Sequence, residues 1–166
     1  MTTEAPAGMR IGHVHLKVSD LDRSIDFYQR VLGLKLMQRY GPSAAFLSAG
    51  GYHHHLGLNT WDSKGAGPAP RGYPGLFHTA FLFPDRKTLG EALARAIAAG
   101  IEISGAADHG VSEAVYFDDP DGNGVEIYRD RPEADWPRDE NGDLALYNRP
   151  LDLQALLADA GVTLPA

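Results

Sequence analysis

His13-Val-His-Leu-Lys-Val-Ser-Asp20 and His78-Thr-Ala-Phe-Leu-Phe-Pro-Asp85 decide the fold of this 166-residue chain. Each stretch opens on a histidine, alternates side chains between two faces as a strand does, and reaches an aspartate seven positions later. His13, Leu16, Val18 and Asp20 have counterparts in His78, Phe81, Phe83 and Asp85 at a constant offset of 65 residues. Self-similarity at a fixed offset is the mark of a duplicated supersecondary unit.

The segments downstream of the two stretches repeat as well. After the strand Ile11–Val18, Ser19 stands at capping-box spacing from Asp22, and Leu21, Ile25, Phe27, Tyr28, Val31 and Leu32 recur with helical period until Gly33. Strand-like runs then occupy Leu34–Tyr40, Ala44–Ser48 and His53–Asn59, separated by Gly-Pro and Gly-Gly breakers. After a second opening strand at Phe77–Phe83, Arg86–Ala99 is rich in helix formers and ends at Gly100. Strands are expected at Ile101–Ala106, Glu113–Phe117 and Gly124–Arg129. The sequence thus predicts an α+β fold of two tandem βαβββ modules, at about 11–60 and 76–130, within a single domain over 11–130. A Gly/Pro-rich loop over 61–75 joins them, and residues 1–10 read as a flexible arm.

From 131 to 166 the chain changes character. A Pro-rich, charged stretch precedes Asp152, an N-cap for a short helix stopped by Gly161. The apolar residues Trp136, Leu144, Leu146, Tyr147 and Leu151 give this tail a surface to pack on the domain, over exposed core or over the mouth of a cavity.

Composition removes several function classes. Hydrophobic residues make up 43% of the chain and charged residues 22%, and no apolar run approaches the roughly 20 residues of a membrane span, so no membrane partner is expected. The formal charge of −7, without a Lys/Arg cluster, repels a phosphate backbone, so nucleic acid is not an expected partner. There is no cysteine, which excludes disulfides, thiolate nucleophiles and sulfur-ligated zinc, so any metal must take nitrogen and oxygen ligands. The first ten residues lack the h-region of a secretory signal, and a cytoplasmic location is the expectation.

All seven histidines lie in or beside strands. Modules related by a pseudo-twofold axis would bring His13 and His78 to equivalent places in a shared concavity. Glu126 is the one carboxylate in an otherwise apolar strand, and a carboxylate buried there needs a cation or a hydrogen-bond network. Two neutral imidazoles and one carboxylate are the donor set of non-haem Fe(II) sites with open positions, and Mn(II) suits the same set.

The stretch from His13 to Gly33 and the run Asp119-Pro-Asp-Gly-Asn-Gly-Val-Glu126 resemble the two signature stretches of the vicinal oxygen chelate superfamily. The resemblance covers residues 11 to 130 and implies paired βαβββ modules in an eight-stranded, cup-like barrel around a metal. Gly51-Tyr-His-His-His-Leu-Gly-Leu-Asn-Thr-Trp61, Asp108-His-Gly-Val-Ser-Glu113 and Pro150-Leu-Asp-Leu153 resemble the catechol 2,3-dioxygenase branch. That branch implies an extradiol ring-cleaving enzyme of aromatic catabolism, using Fe(II) and O₂ on a catecholic substrate, and a homo-oligomer.

Carried over by motif, His13, His78 and Glu126 become the metal ligands, His54 the acid–base residue with His55 as the fallback, and His109 and Tyr116 groups beside the bound ring. His15 shares a face with His13, but its counterpart is Ala80, so it reads as a wall residue. Glyoxalase-type isomerases and drug-sequestering proteins share this scaffold. The isomerases carry a fourth ligand, a Glu in the last strand of the first module, and the repeat places that position close to Gly57. Its absence favours the three-ligand dioxygenase.

Overall fold

The computed structural model describes residues 4–70 and 72–162. The first three residues of the arm, Arg71 of the connecting loop and the last four residues of the tail lie outside the described residues.

The duplicated order is present. The first module runs β1 (Val14–Lys17), α1 (Leu21–Leu32), β2 (Lys35–Tyr40), β3 (Ala44–Ser48), β4 (Leu56–Asn59). The second runs β5 (Thr79–Leu82), α2 (Arg86–Ala98), β6 (Ile103–Asp108), β7 (Ser112–Asp118), β8 (Gly124–Asp130). In each module the first strand pairs parallel with the last and the remaining pairs are antiparallel, giving the orders β1-β4-β3-β2 and β5-β8-β7-β6. A register shift interrupts the same pair in both, at Leu36/Gln38 and at Ile103/Gly105. The strands form two separate sheets and do not close into a barrel. The second sheet gains a fifth strand, β9 (Arg149–Pro150), from the tail.

The repeat extends to the helix starts. Asp20 and Asp85 are both N-caps, accepting from Arg23 N at 3.0 Å and Thr88 N at 2.7 Å, which satisfies a free amide of each first turn. The capping-box expectation for Ser19 is therefore corrected by one residue. Its hydroxyl is taken by Asp121 Oδ1 at 2.5 Å, in the turn between β7 and β8.

Alternate strand residues point into one core with the helices: Leu16 and Val18, Leu56 and Leu58, Val115 and Phe117, Val125 and Ile127. Helix α1 joins the modules. Phe27 meets Phe117 edge-on at 6.3 Å, and fully buried Tyr28 donates its hydroxyl to Asp119 Oδ2 at 3.0 Å. Burial of each such aromatic stabilises the fold by about 2–3 kcal/mol. Asp119 also accepts from the Asp121 and Asn123 amides, so one carboxylate closes the 119–123 turn and anchors α1 to it. Helix α3 (Leu153–Asp159), capped by Asp152, buries Leu156 and Leu157; the bare Gly90 of α2 admits it, since a Cβ there would stand 2.5 Å from Leu156 O. Among the described residues no helix is long and apolar enough to cross a membrane.

Candidate active site

With the odd-numbered residues of β7 and β8 in the core, Tyr116 and Glu126 fall on the opposite face of the second sheet, directly paired across the strands. His78 lies immediately before β5, which pairs with β8 through Thr79 and Val125. That close approach requires Gly124, where a Cβ would stand 2.3 Å from Phe77 O and 3.1 Å from His78 Cβ. Glu126, 8% exposed, is then met from both sides. His78 Nε2 lies 2.8 Å from Oε2, and the Tyr116 hydroxyl donates to Oε1 at 3.1 Å. His109 Nε2 is 2.8 Å from the same hydroxyl. Burial, with the neighbouring Glu126 charge second, pushes the Tyr116 phenol up to about 12, so it remains protonated at neutral pH.

The other histidines gather on the first sheet. His13 precedes β1, and its ring centroid is 4.4 Å from that of His54. His54 also contacts Phe46 at 4.9 Å, and its Nδ1 is 2.8 Å from His53 Nδ1. His55 is occupied elsewhere, with Nδ1 2.9 Å from Ser48 Oγ and accepting from the Ala49 amide at 3.3 Å. Desolvation first, and the positive field of His13 second, hold His54 below the ordinary histidine value. The same two causes lower His15, whose ring leans on Trp61 at 5.5 Å.

His15 pairs with Gly57 as Ala80 pairs with Glu126. With His15 and Ala80 separated by the repeat offset, Gly57 is the register counterpart of Glu126. A Cβ there would stand 2.8 Å from the His15 ring, so the space a fourth carboxylate would need is filled by imidazole.

His78, Glu126, Tyr116 and His109 thus form one hydrogen-bonded chain, while His13 and His54 meet each other on the first sheet. Two donors of types suited to a divalent ion, an imidazole and a buried carboxylate, are together, and His78 Nδ1 is buried without a partner. Among the described residues, however, no group of three His, Asp or Glu side chains comes near enough to hold a metal ion. The three-ligand set is therefore not assembled in this conformation. Sequence reasoning also misses the carbonyl of Tyr147, 3.2 Å from His109 Nδ1. A main-chain acceptor 38 positions away leaves no residue-type signal.

Tandem βαβββ modules with a carboxylate–imidazole pair on the face opposite their helices define a recognisable class. The chain belongs to the glyoxalase/bleomycin resistance protein/dioxygenase superfamily, whose family model matches residues 10–127. A catechol-2,3-dioxygenase of Bacillus subtilis (strain 168) is 44% identical over 151 residues, covering 91% of this chain and 52% of the relative. A biphenyl-2,3-diol 1,2-dioxygenase 3 of Rhodococcus globerulus is 34% identical over 131 residues, covering 73% and 63%. The chain thus spans between half and two thirds of the length of these dioxygenases. A lactoylglutathione lyase of Neisseria meningitidis is 30% identical over 129 residues, covering 72% of this chain and 89% of the lyase. The crystal structure of a glyoxalase/dioxygenase from Nostoc punctiforme shares the fold, with a TM-score of 0.64 at 22% identity over 80% of this chain and 99% of that one.

Proposed function

We propose that the chain is an extradiol ring-cleaving dioxygenase acting with O₂ on catechol or a substituted catechol, to give a 2-hydroxymuconic semialdehyde. Its ligands for Fe(II), with Mn(II) as the other ion suited to the set, would be His13, His78 and Glu126. The observation that carries this reading is the chain His78–Glu126–Tyr116–His109 on one sheet face. It sets a neutral phenol and an imidazole beside a carboxylate, where an acidic diol needs hydrogen-bond partners.

In this reading Tyr116 turns its hydroxyl to a catecholate oxygen, which its high pKa permits without loss of its own proton. His54 takes the second catechol proton. Its lowered pKa keeps it neutral, and so competent as a base, below the ordinary histidine range. His109, behind Tyr116, sets the direction of the phenolic hydrogen. His13 is not gathered with the other two donors in this conformation.

The competing reading, a glyoxalase-type isomerase, draws on the lyase match over most of the lyase's length. Gly57 in the register place of Glu126 opposes it, since that reading needs a carboxylate there. Anaerobic loading with Fe(II), followed by catechol and O₂, separates the two. The dioxygenase gives a yellow product in step with oxygen consumed. Absent oxygen uptake, a colourless intradiol product, or isomerisation of a glutathione hemithioacetal instead would overturn the proposal.

A further inference from the structure

The tail segment between β8 and α3 returns to the sheet directly behind His109. β9 pairs with β6 through Ala107↔Pro150 and Asp108↔Arg149. Just before it, Tyr147 N donates to His109 O at 3.3 Å, and Tyr147 O lies 3.2 Å from His109 Nδ1. Gly110, at φ +80°, makes the approach possible: a Cβ there would meet Pro137 Cγ and Tyr147 Cε1 at 2.7 Å each. The Arg149 guanidinium covers the Tyr147 ring at 4.1 Å, which holds the segment in place.

A carbonyl oxygen has no hydrogen to give, so the contact with Tyr147 requires the proton on His109 Nδ1. The neutral imidazole then presents a lone pair at Nε2, 2.8 Å from the Tyr116 hydroxyl. We propose that this strap is a positioning element of the site: the Tyr147 carbonyl fixes His109 as its Nδ1–H tautomer and so aims the Nε2 lone pair at Tyr116.

The single hydrogen of Tyr116 faces two acceptors, Glu126 Oε1 and His109 Nε2, and serves one at a time; in the dioxygenase reading a catecholate oxygen would be the further acceptor to which it turns. His109, for its part, can offer an N–H toward the site only as the imidazolium. The tail thereby takes a part in orienting the site as well as covering the sheet.

The test reads imidazole ¹⁵N resonances of the full metal-free chain above the histidine titration range, with His109 assigned by comparison with His109→Gln. The wild type should show Nδ1 protonated and Nε2 unprotonated. Tyr147→Pro removes the amide that bonds to His109 O, and Gly110→Ala pushes the strap away. In either, the resonances should move to a mixture of tautomers or to the Nε2–H form, and turnover of catechol should fall about tenfold, the scale of losing an orienting hydrogen bond. Should Gly110→Ala fail to fold, Tyr147→Pro carries the test, since Tyr147 is not one of the core residues. A wild type with its proton on Nε2, or a folded Tyr147→Pro that keeps the Nδ1–H form, would overturn the inference. Its link to turnover rests on the dioxygenase reading. A wild type with the expected tautomer and no oxygen uptake would remove that reading and leave the strap's role standing.

Discussion

Gly124→Ala is the smallest substitution that should disable the site without touching a donor atom. The added Cβ would sit 2.3 Å from Phe77 O, and contacts of this kind stay above 3.0 Å, so the backbone at Phe77 and His78 must retreat by about 0.7 Å or β8 must yield by as much. Neither can move freely, because Thr79 and Val125 are paired and buried. Overpacking of this kind costs about 1–3 kcal/mol, which lowers the midpoint of thermal unfolding by roughly 3–10 °C for a chain of this length. The larger effect should fall on the 2.8 Å contact between His78 and Glu126, since a displacement approaching 1 Å spoils ligand geometry. Affinity for a divalent ion should drop about 10- to 100-fold. Calorimetric titration of Fe(II) under anaerobic conditions, or of Mn(II) in air, measures it beside a thermal melt. Gly57→Ala is the control: the nearest atoms to its Cβ belong to the His15 ring, from 2.8 Å, and a side chain can swing aside. Unchanged metal affinity in a folded Gly124→Ala protein would refute the placement of His78 as a donor beside Glu126.

Tyr116→Phe leaves Glu126 Oε1 and His109 Nε2 without their shared partner, so catechol turnover should fall about 100-fold while metal is still bound, as stopped-flow kinetics and metal analysis would show. Buried Glu113 accepts from Arg86 at 3.0 Å, Arg129 at 2.8 Å and Arg131 at 3.3 Å; in Glu113→Ala Arg86 keeps Asp159 and Arg131 keeps Asp108 while Arg129 loses its carboxylate, so stability should fall by about 1–3 kcal/mol in urea unfolding. His15 and His54 have folded pKa values below 6.5, so as pH falls through 6.5 the unfolded chain takes up their protons first. The stability of the metal-free protein should therefore fall as pH drops below about 6.5, flattening once the folded pKa values are passed, and the double variant His15→Gln/His54→Gln should lose less over that window.

Much of the fold is legible in the sequence because its signals are local and repeated. The 65-residue offset from His13 to His78 also relates the two N-caps and the strand positions of His15 and Ala80, so one comparison of short stretches places both modules. Ser19 misleads because its hydroxyl has a stronger partner in Asp121, 102 positions away, which no local spacing reveals. The strand expected from His53 begins instead at Leu56, and His53, His54 and His55 all lie in the irregular segment before it. Strict alternation therefore cannot choose among the three histidines. Their environments do differ, with His54 against His13 and His55 tied to Ser48. The pairing of Tyr116 with Glu126 comes from strand register once the strands are placed. The His109–Tyr147 contact runs through main-chain atoms, and folding alone makes it visible.

Metal content after anaerobic Fe(II) loading and desalting tests the proposed donor set most directly, measured for the wild type beside His13→Ala, His78→Ala and Glu126→Ala. About one iron per chain in the wild type and none above background in each variant is the expected result, with the same melting behaviour in all metal-free forms. Full iron in a folded His78→Ala or Glu126→Ala protein would contradict the site itself, and full iron in His13→Ala would remove the first module from it.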